Sequence, residues 1–190
     1  MKQKMGFPSW PCFLPWLFIN NDVYCVCIVI LLIIEDWGDC MAVAYRKLAD
    51  KDLDVFIDMR IAQLQEEGAE ATFDLKPYLQ DYYIRHLGDT TFVSWLAVDE
   101  NKIVGTSGMS FVEKPPYYSC PSGKIGLLSS MYVIKEYRRK GIATVLLDKV
   151  VKEAKNFGCA AVQITASDMG VLLYTNYGFK KNSNFMYYSF

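Results

Sequence analysis

The run Arg138-Arg139-Lys140-Gly141-Ile142-Ala143-Thr144 has the residue types and the order of an anion seat. It follows the apolar segment Ile125–Ile134 and opens a helical pattern whose stripe is Ile142, Val145, Leu146, Val150, Ala154 and Phe157. The first amides of a helix lack internal partners, and the peptide dipoles place about half a positive charge there. Three cations at that end oppose the dipole at a cost of a few tenths to about 1 kcal/mol each. A bound phosphate removes that cost. Gly141 puts no Cβ between an anion and the backbone, and Ala143 keeps the next position small. Arg138, Arg139 and Lys140 add mobile positive charge at the rim.

Other chemistry is sparse. The chain holds a single histidine, His86, so a multi-histidine metal site is excluded and a Ser-His-Asp triad would need that one residue. His86 precedes Gly88 in the last turn of a helical pattern, where an exposed cation complements the dipole. Cys25-Val26-Cys27 is not a CxxC pair and has no suitable partners, so no metal is expected. Twenty Lys and Arg against 21 Asp and Glu give a net charge of −1, with no bulk reason to expect nucleic acid.

The elements that must position the anion seat are legible from Met41 onward. Ala42–Leu48 alternates as a short strand, and Asp50 caps a helix with Leu53, Phe56, Ile57, Ile61 and Leu64 on its apolar face. Asp52 and Asp54 fall in its first turn, and Gly68 ends it. A second helix follows Asp74, tolerates Pro77 in its first turn and stops at Gly88. Phe92–Val98 and Ile103–Val112 read as strands joined by a hairpin turn at Asp99-Glu100-Asn101-Lys102. After the loop Glu113–Lys124, Ile125–Ile134 has little polarity on either face and is expected to be central in the sheet. Gly141–Phe157 is a helix, Ala160–Thr165 a strand, Met169–Asn176 a short helix and Phe179–Phe190 one or two closing strands. The fold class is mixed α/β, with 52% hydrophobic residues enough for one domain with a full core.

Residues 1–40 have a different character. They hold four of the six cysteines and three of the four tryptophans, with only Lys2 and Lys4 as basic residues. The apolar run Val23–Ile34 has 12 residues, shorter than the ~20 needed to span a bilayer. Glu35-Asp36-Trp37-Gly38-Asp39 follows it instead of a small-residue cleavage site. The expectation is an apolar extension over 1–40 that is not part of the natural domain, which spans 41–190. No membrane attachment is expected. With only Cys120 and Cys159 in the remainder, a reduced, cytoplasmic protein fits.

Arg138-x-x-Gly141-x-Ala143 on a strand-to-helix turn resembles the acetyl-CoA pyrophosphate loop of the GNAT N-acetyltransferase superfamily. Tyr174-Thr175-Asn176-Tyr177-Gly178-Phe179 is similar to the Tyr-x-x-x-Gly-Phe segment of the same family. The resemblance covers about Met41–Phe190 and is to the small bacterial members. It implies a GNAT-like fold, a mixed twisted sheet splayed between two parallel strands and flanked by helices. It implies acetyl-CoA as co-substrate, with no metal. The pyrophosphate would lie on the amides of Arg139, Lys140, Gly141, Ile142, Ala143 and Thr144. The pantetheine arm would pair with the strand backbone at Met131, Tyr132 and Val133, with Ser167 where many relatives have Asn. An amide near Val133, at a strand bulge, would hold the oxyanion. Tyr174 matches the general-acid position.

That implied activity is transfer of acetyl to an amine of a small molecule or peptide by direct attack. The alternative is a non-catalytic acyl-CoA-binding or regulatory module. Many relatives place a Glu on the central strand, where Leu127-Leu128-Ser129-Ser130 stands here. Glu113, or water held by Ser129 or Ser130, is open as a route for the proton, and no base is assigned. Tyr82, Tyr83, Tyr117 and Tyr118 are open between acceptor-pocket walls and packing. A homodimer is conceivable through pairing or exchange of the Phe185–Phe190 strand.

Overall fold

The computed structural model describes residues 43–181 together with Met186 and Tyr188. The expectations for residues 1–40 lie outside the described residues, as does most of the stretch expected as closing strands (Phe179–Phe190) and as an exchanged strand (Phe185–Phe190); residues 179–181, which are described, form no strand. The elements run β1 (Ala44–Lys47), α1 (Leu53–Glu66), α2 (Lys76–Gly88), β2 (Phe92–Asp99), β3 (Lys102–Glu113), β4 (Lys124–Val133), α3 (Ile142–Asn156), β5 (Ala161–Gln163) and α4 (Val171–Tyr177). The sheet order is β1-β2-β3-β4-β5, antiparallel except for the parallel pair β4–β5. This is the expected mixed α/β architecture.

The entry to α1 differs from the expectation. A 3-10 turn over Asp50–Asp52 precedes the helix, and Asp52 rather than Asp50 carries the local hydrogen bonds. Its carboxylate accepts from the Ala49 N–H at 3.2 Å and from Arg46 Nη2 on β1 at 2.9 Å. The Arg46 guanidinium holds this nearly buried carboxyl below the usual carboxylate range. The helix start is thereby tied to the edge of the sheet. At α2 the sequence reading holds, since Asp74 Oδ1 accepts from the Lys76 N–H at 3.0 Å.

Helices cover both faces of the sheet. Phe56 and Ile57 of α1 and Tyr83 of α2 pack on Phe92, Leu96 and Val98 of β2. On the opposite face Leu147, Val150, Val151 and Ala154 of α3 meet Met109 and Leu128. That two-sided cover explains the apolar character of β4. It does not make β4 the middle strand, a place taken by β3 among the described residues.

Two irregularities shape β4. Thr106 pairs with Tyr132 and Gly108 with Ser129, so Ser130 and Met131 together stand opposite Ser107. Ser130 adopts φ 52° at this bulge. Its carbonyl accepts from the Thr106 hydroxyl at 2.9 Å, and its Oγ lies 3.2 Å from the Tyr83 hydroxyl. The second irregularity is divergence. β5 pairs with β4 only at Ile125, Gly126 and Leu127, so the ladder is shorter than the Ala160–Thr165 expectation. Beyond Leu127 that edge of β4 has no strand partner among the described residues.

Candidate functional site

The divergence of β4 from β5 opens a cleft of about 790 Å3. One wall is the edge of β4 from Leu128 to Val133, and the opposite side comes from the segment Ile164–Asn176. The start of α3 closes one end, and the C-terminal half of α1 forms the roof with Arg60, Gln63, Glu66 and Glu67. Among the described residues no His, Cys, Asp and Glu groups are placed to hold a metal ion.

At the α3 end, Gly141 occupies the N-cap with φ 79°, in the left-handed region. A Cβ there would meet no protein atom within 4 Å, so the glycine answers to backbone conformation rather than to crowding. The N–H groups of Ile142, Ala143 and Thr144 find no acceptor among the described residues. They point with the helix dipole toward the cleft mouth, an arrangement suited to an anion.

The three cations before Gly141 do not behave alike. Arg138 is held in place, not mobile. Its Nε donates to the Val133 carbonyl at 2.8 Å, its Nη2 donates to Glu66 Oε2 at 2.6 Å, and its guanidinium lies 5.6 Å from the Tyr132 ring centre. Tyr132 donates to the other oxygen of Glu66 at 2.9 Å. The guanidinium is the main cause holding the Glu66 carboxyl below its usual range, while burial and the nearby Glu66 charge raise the Tyr132 phenol. Lys140 lies 4.9 Å from the Tyr137 ring and does not line the cleft. Arg139 lines it and has no ion-pair partner among the described residues.

Tyr174 stands on α4 near the middle of the cleft, 7% exposed, and its hydroxyl has no hydrogen-bond partner among the described residues. Local geometry explains its fixed position. Gly178 ends α4 at φ 113°, the Phe179 N–H returns to the Tyr174 carbonyl at 2.9 Å, and the Phe179 ring packs edge-on at 5.7 Å. Gly170 lies against the other side, where a Cβ would come within 2.7 Å of the Tyr174 ring. Burial, assisted by the charge of Glu67, pushes the phenol up to about 12. Tyr174 therefore keeps its proton throughout the neutral range.

Met131, Tyr132, Val133, Ile142, Ala143, Thr144 and Ser167 share this cleft with Arg138, Arg139, Gly141 and Tyr174. Ser167 is not the N-cap of α4. Gly170 is, and the Ser167 carbonyl accepts from the Gly170 and Val171 N–H groups at 2.9 and 3.1 Å. Ser129 lines the cleft, whereas Ser130 is fully buried under Tyr83. Glu113 ends β3 opposite Lys124, outside the lining, and none of Tyr82, Tyr83, Tyr117 and Tyr118 reaches it. His86 is not exposed either. It is half-buried, 2.6 Å from Thr91 Oγ1 and 3.6 Å from Asp89 Oδ2.

Sequence reasoning missed the polar face of α1. Arg60 Nη1 donates to Gln63 Oε1 at 3.0 Å, and Gln63 Nε2 donates to Glu67 Oε1 at 3.0 Å. Spacings of three and four place all three on one helix face beside the apolar stripe, which is the signal that was available.

A family model described as acetyltransferase (GNAT) family matches residues 56–179. A crystal structure of a predicted acetyltransferase with acetyl-CoA from Clostridium acetobutylicum is 32% identical. It superimposes with a TM-score of 0.75, over 77% of this chain and 96% of that one. A GCN5-related N-acetyltransferase from Ralstonia eutropha shares the fold at 24% identity and a TM-score of 0.72, over 78% of this chain and 99% of the other. An N-alpha-acetyltransferase of Saccharolobus solfataricus is 30% identical over 110 residues, 53% of this chain. That match spans 64% of the relative's length, less than two thirds of it.

Proposed function

The chain belongs to the GNAT acetyltransferase family, and on that footing we propose that it moves the acetyl group of acetyl-CoA onto an amine by direct attack. The observation that carries this reading is the continuity of the cleft. It runs from unpaired helix N–H groups, along the open edge of β4, to a buried phenol that retains its proton.

The residues present fit the co-substrate. The N–H groups at the start of α3 receive the pyrophosphate, with Arg139 adding charge at the rim. Arg138 contributes differently from the other cations, by bracing the Val133 carbonyl and the end of α1. The backbone of Met131–Val133 has no strand partner on one edge and, apart from the Val133 carbonyl that Arg138 holds, is open to the pantetheine amides, with the Ser167 hydroxyl across the gap. The bulge falls at Ser130–Met131, just before Val133, and one of the amides that follow it stabilises the oxyanion developing on the thioester carbonyl.

Two protons must move. An amine with a pKa near 10 is about one part in a thousand neutral at pH 7, so it needs an acceptor for its proton. Glu67 is the carboxylate in the cleft without an ion-pair partner among the described residues, and it receives that proton directly or through water. Tyr174 gives its proton to the departing sulfur as the carbon–sulfur bond breaks and the new carbon–nitrogen bond closes. The acceptor is an amine of a small molecule or a peptide. Its test is thiol release from acetyl-CoA across an amine panel, with coenzyme A binding followed by calorimetry. Binding without turnover on any amine would leave only a coenzyme-binding module.

A further inference from the structure

The roof of the cleft carries a charge pattern that the acetyl-transfer reading does not use. Arg60 is a half-buried cleft residue with no carboxylate partner among the described residues, and its one hydrogen bond goes to a neutral carboxamide. The other cleft-facing arginine with a fixed geometry, Arg138, is already neutralised by Glu66. A guanidinium shielded from water on one side and paired only with an amide is an incomplete recognition site for an anion.

Gln63 sets what stands next to that anion. Its buried carboxamide is oriented by both neighbours, the oxygen taking the Arg60 hydrogen and the nitrogen donating to Glu67. A cation and an anion are thus held on one helix face, each 3.0 Å from the same side-chain amide. Glu67 lines the same cleft as Tyr174, and its charge adds to the burial that raises the phenol. Arg60 lies about two turns back along α1 from Glu67, on the side of the helix where its charge also acts on the Tyr83 phenol.

We propose that Arg60 forms an anion subsite for the acceptor, so that the substrate is an amine bearing a carboxylate or phosphate a few bonds from its nitrogen. The inference rests on the acetyl-transfer reading. Glu67 faces the ammonium end and Arg60 the anionic end, and Gln63 fixes their separation. Neutral amines of the same size fill the cleft without engaging the guanidinium.

The test uses matched acceptor pairs with the full chain: β-alanine against β-alaninamide, and phosphoethanolamine against ethanolamine. The anionic member of at least one pair is expected to have a kcat/KM ten- to a hundredfold higher, mostly through KM, and the better pair tells carboxylate from phosphate. Arg60→Gln should shrink that ratio below threefold, and Arg60→Lys should restore part of it. A merely structural role for Arg60 would lower both members of a pair together and leave the ratio intact. Equal rates within both pairs for the unaltered chain overturn the inference while leaving acetyl transfer standing, and this arm needs no variant to fold. Loss of coenzyme A affinity in Arg60→Gln with an unchanged ratio also overturns it, because the guanidinium would then serve the coenzyme. Absence of transfer to every amine overturns the acetyl-transfer reading itself.

Discussion

Arg138 is bound to Glu66, 72 positions earlier in the chain, through a 2.6 Å contact at the mouth of the cleft. The pair joins the end of α1 to the strand-to-helix turn, and Arg138 passes the constraint to β4 through the Val133 carbonyl. Arg138, expected to add mobile charge at the rim together with Arg139 and Lys140, is a strut. Replacing Glu66 by Gln is expected to cost up to about 1 kcal/mol by urea unfolding, since the pair is only partly buried. Its pH dependence has a defined sign. The Glu66 carboxyl is held low, so its stabilising contribution is complete above the usual carboxylate value near 4.3. It is lost as pH falls from there through the lowered value. The Glu66→Gln variant should therefore show a shallower loss of stability below about pH 4.

Tyr174→Phe is expected to lower kcat by about 10²–10⁴ while coenzyme A affinity by calorimetry changes less than about threefold. Because the phenol is pushed up to about 12, the acid form persists across the neutral and moderately alkaline range. A descending limb in the kcat profile below about pH 10 that disappears in Tyr174→Phe would contradict this assignment.

Gly141→Leu meets no steric obstacle from the protein but must hold a left-handed backbone. The folded state should lose about 1–2 kcal/mol by thermal unfolding. Coenzyme A affinity should fall at least tenfold if the side chain covers the N–H groups proposed to receive the pyrophosphate. Unaltered affinity would remove α3 as the anion seat.

Gly170→Ala places a methyl group 2.7 Å from the Tyr174 ring, closer than real contacts allow. The ring must move, and with it the hydroxyl proposed as proton donor. The expected result is a fall in kcat of tenfold or more with coenzyme affinity retained, measured by steady-state thiol release and calorimetry.

The parts of the site that were legible in the sequence are those written by one short stretch of backbone. Gly141 before the α3 stripe announced a helix start with free N–H groups, and Tyr174, Gly178 and Phe179 close on one another within a single turn. The expected capping by Asp50 failed because Asp52, two residues on, faces Arg46 across the sheet edge.

Residue order alone determined the alternation of strands and helices, the glycine-led start of α3 and the turn that closes Phe179 on Tyr174. Each of these depends on hydrogen bonds and side-chain periodicities spanning a few residues, which the chain specifies locally. Tertiary structure decided which charges are neutralised and which remain open to a ligand. Glu66 meets Arg138, while Arg60 and Glu67 meet only Gln63, although all five lie on ordinary-looking polar positions. A helix face shows which residues point together but not which distant segment will cover them, and Coulomb attraction follows distance in space rather than separation along the chain.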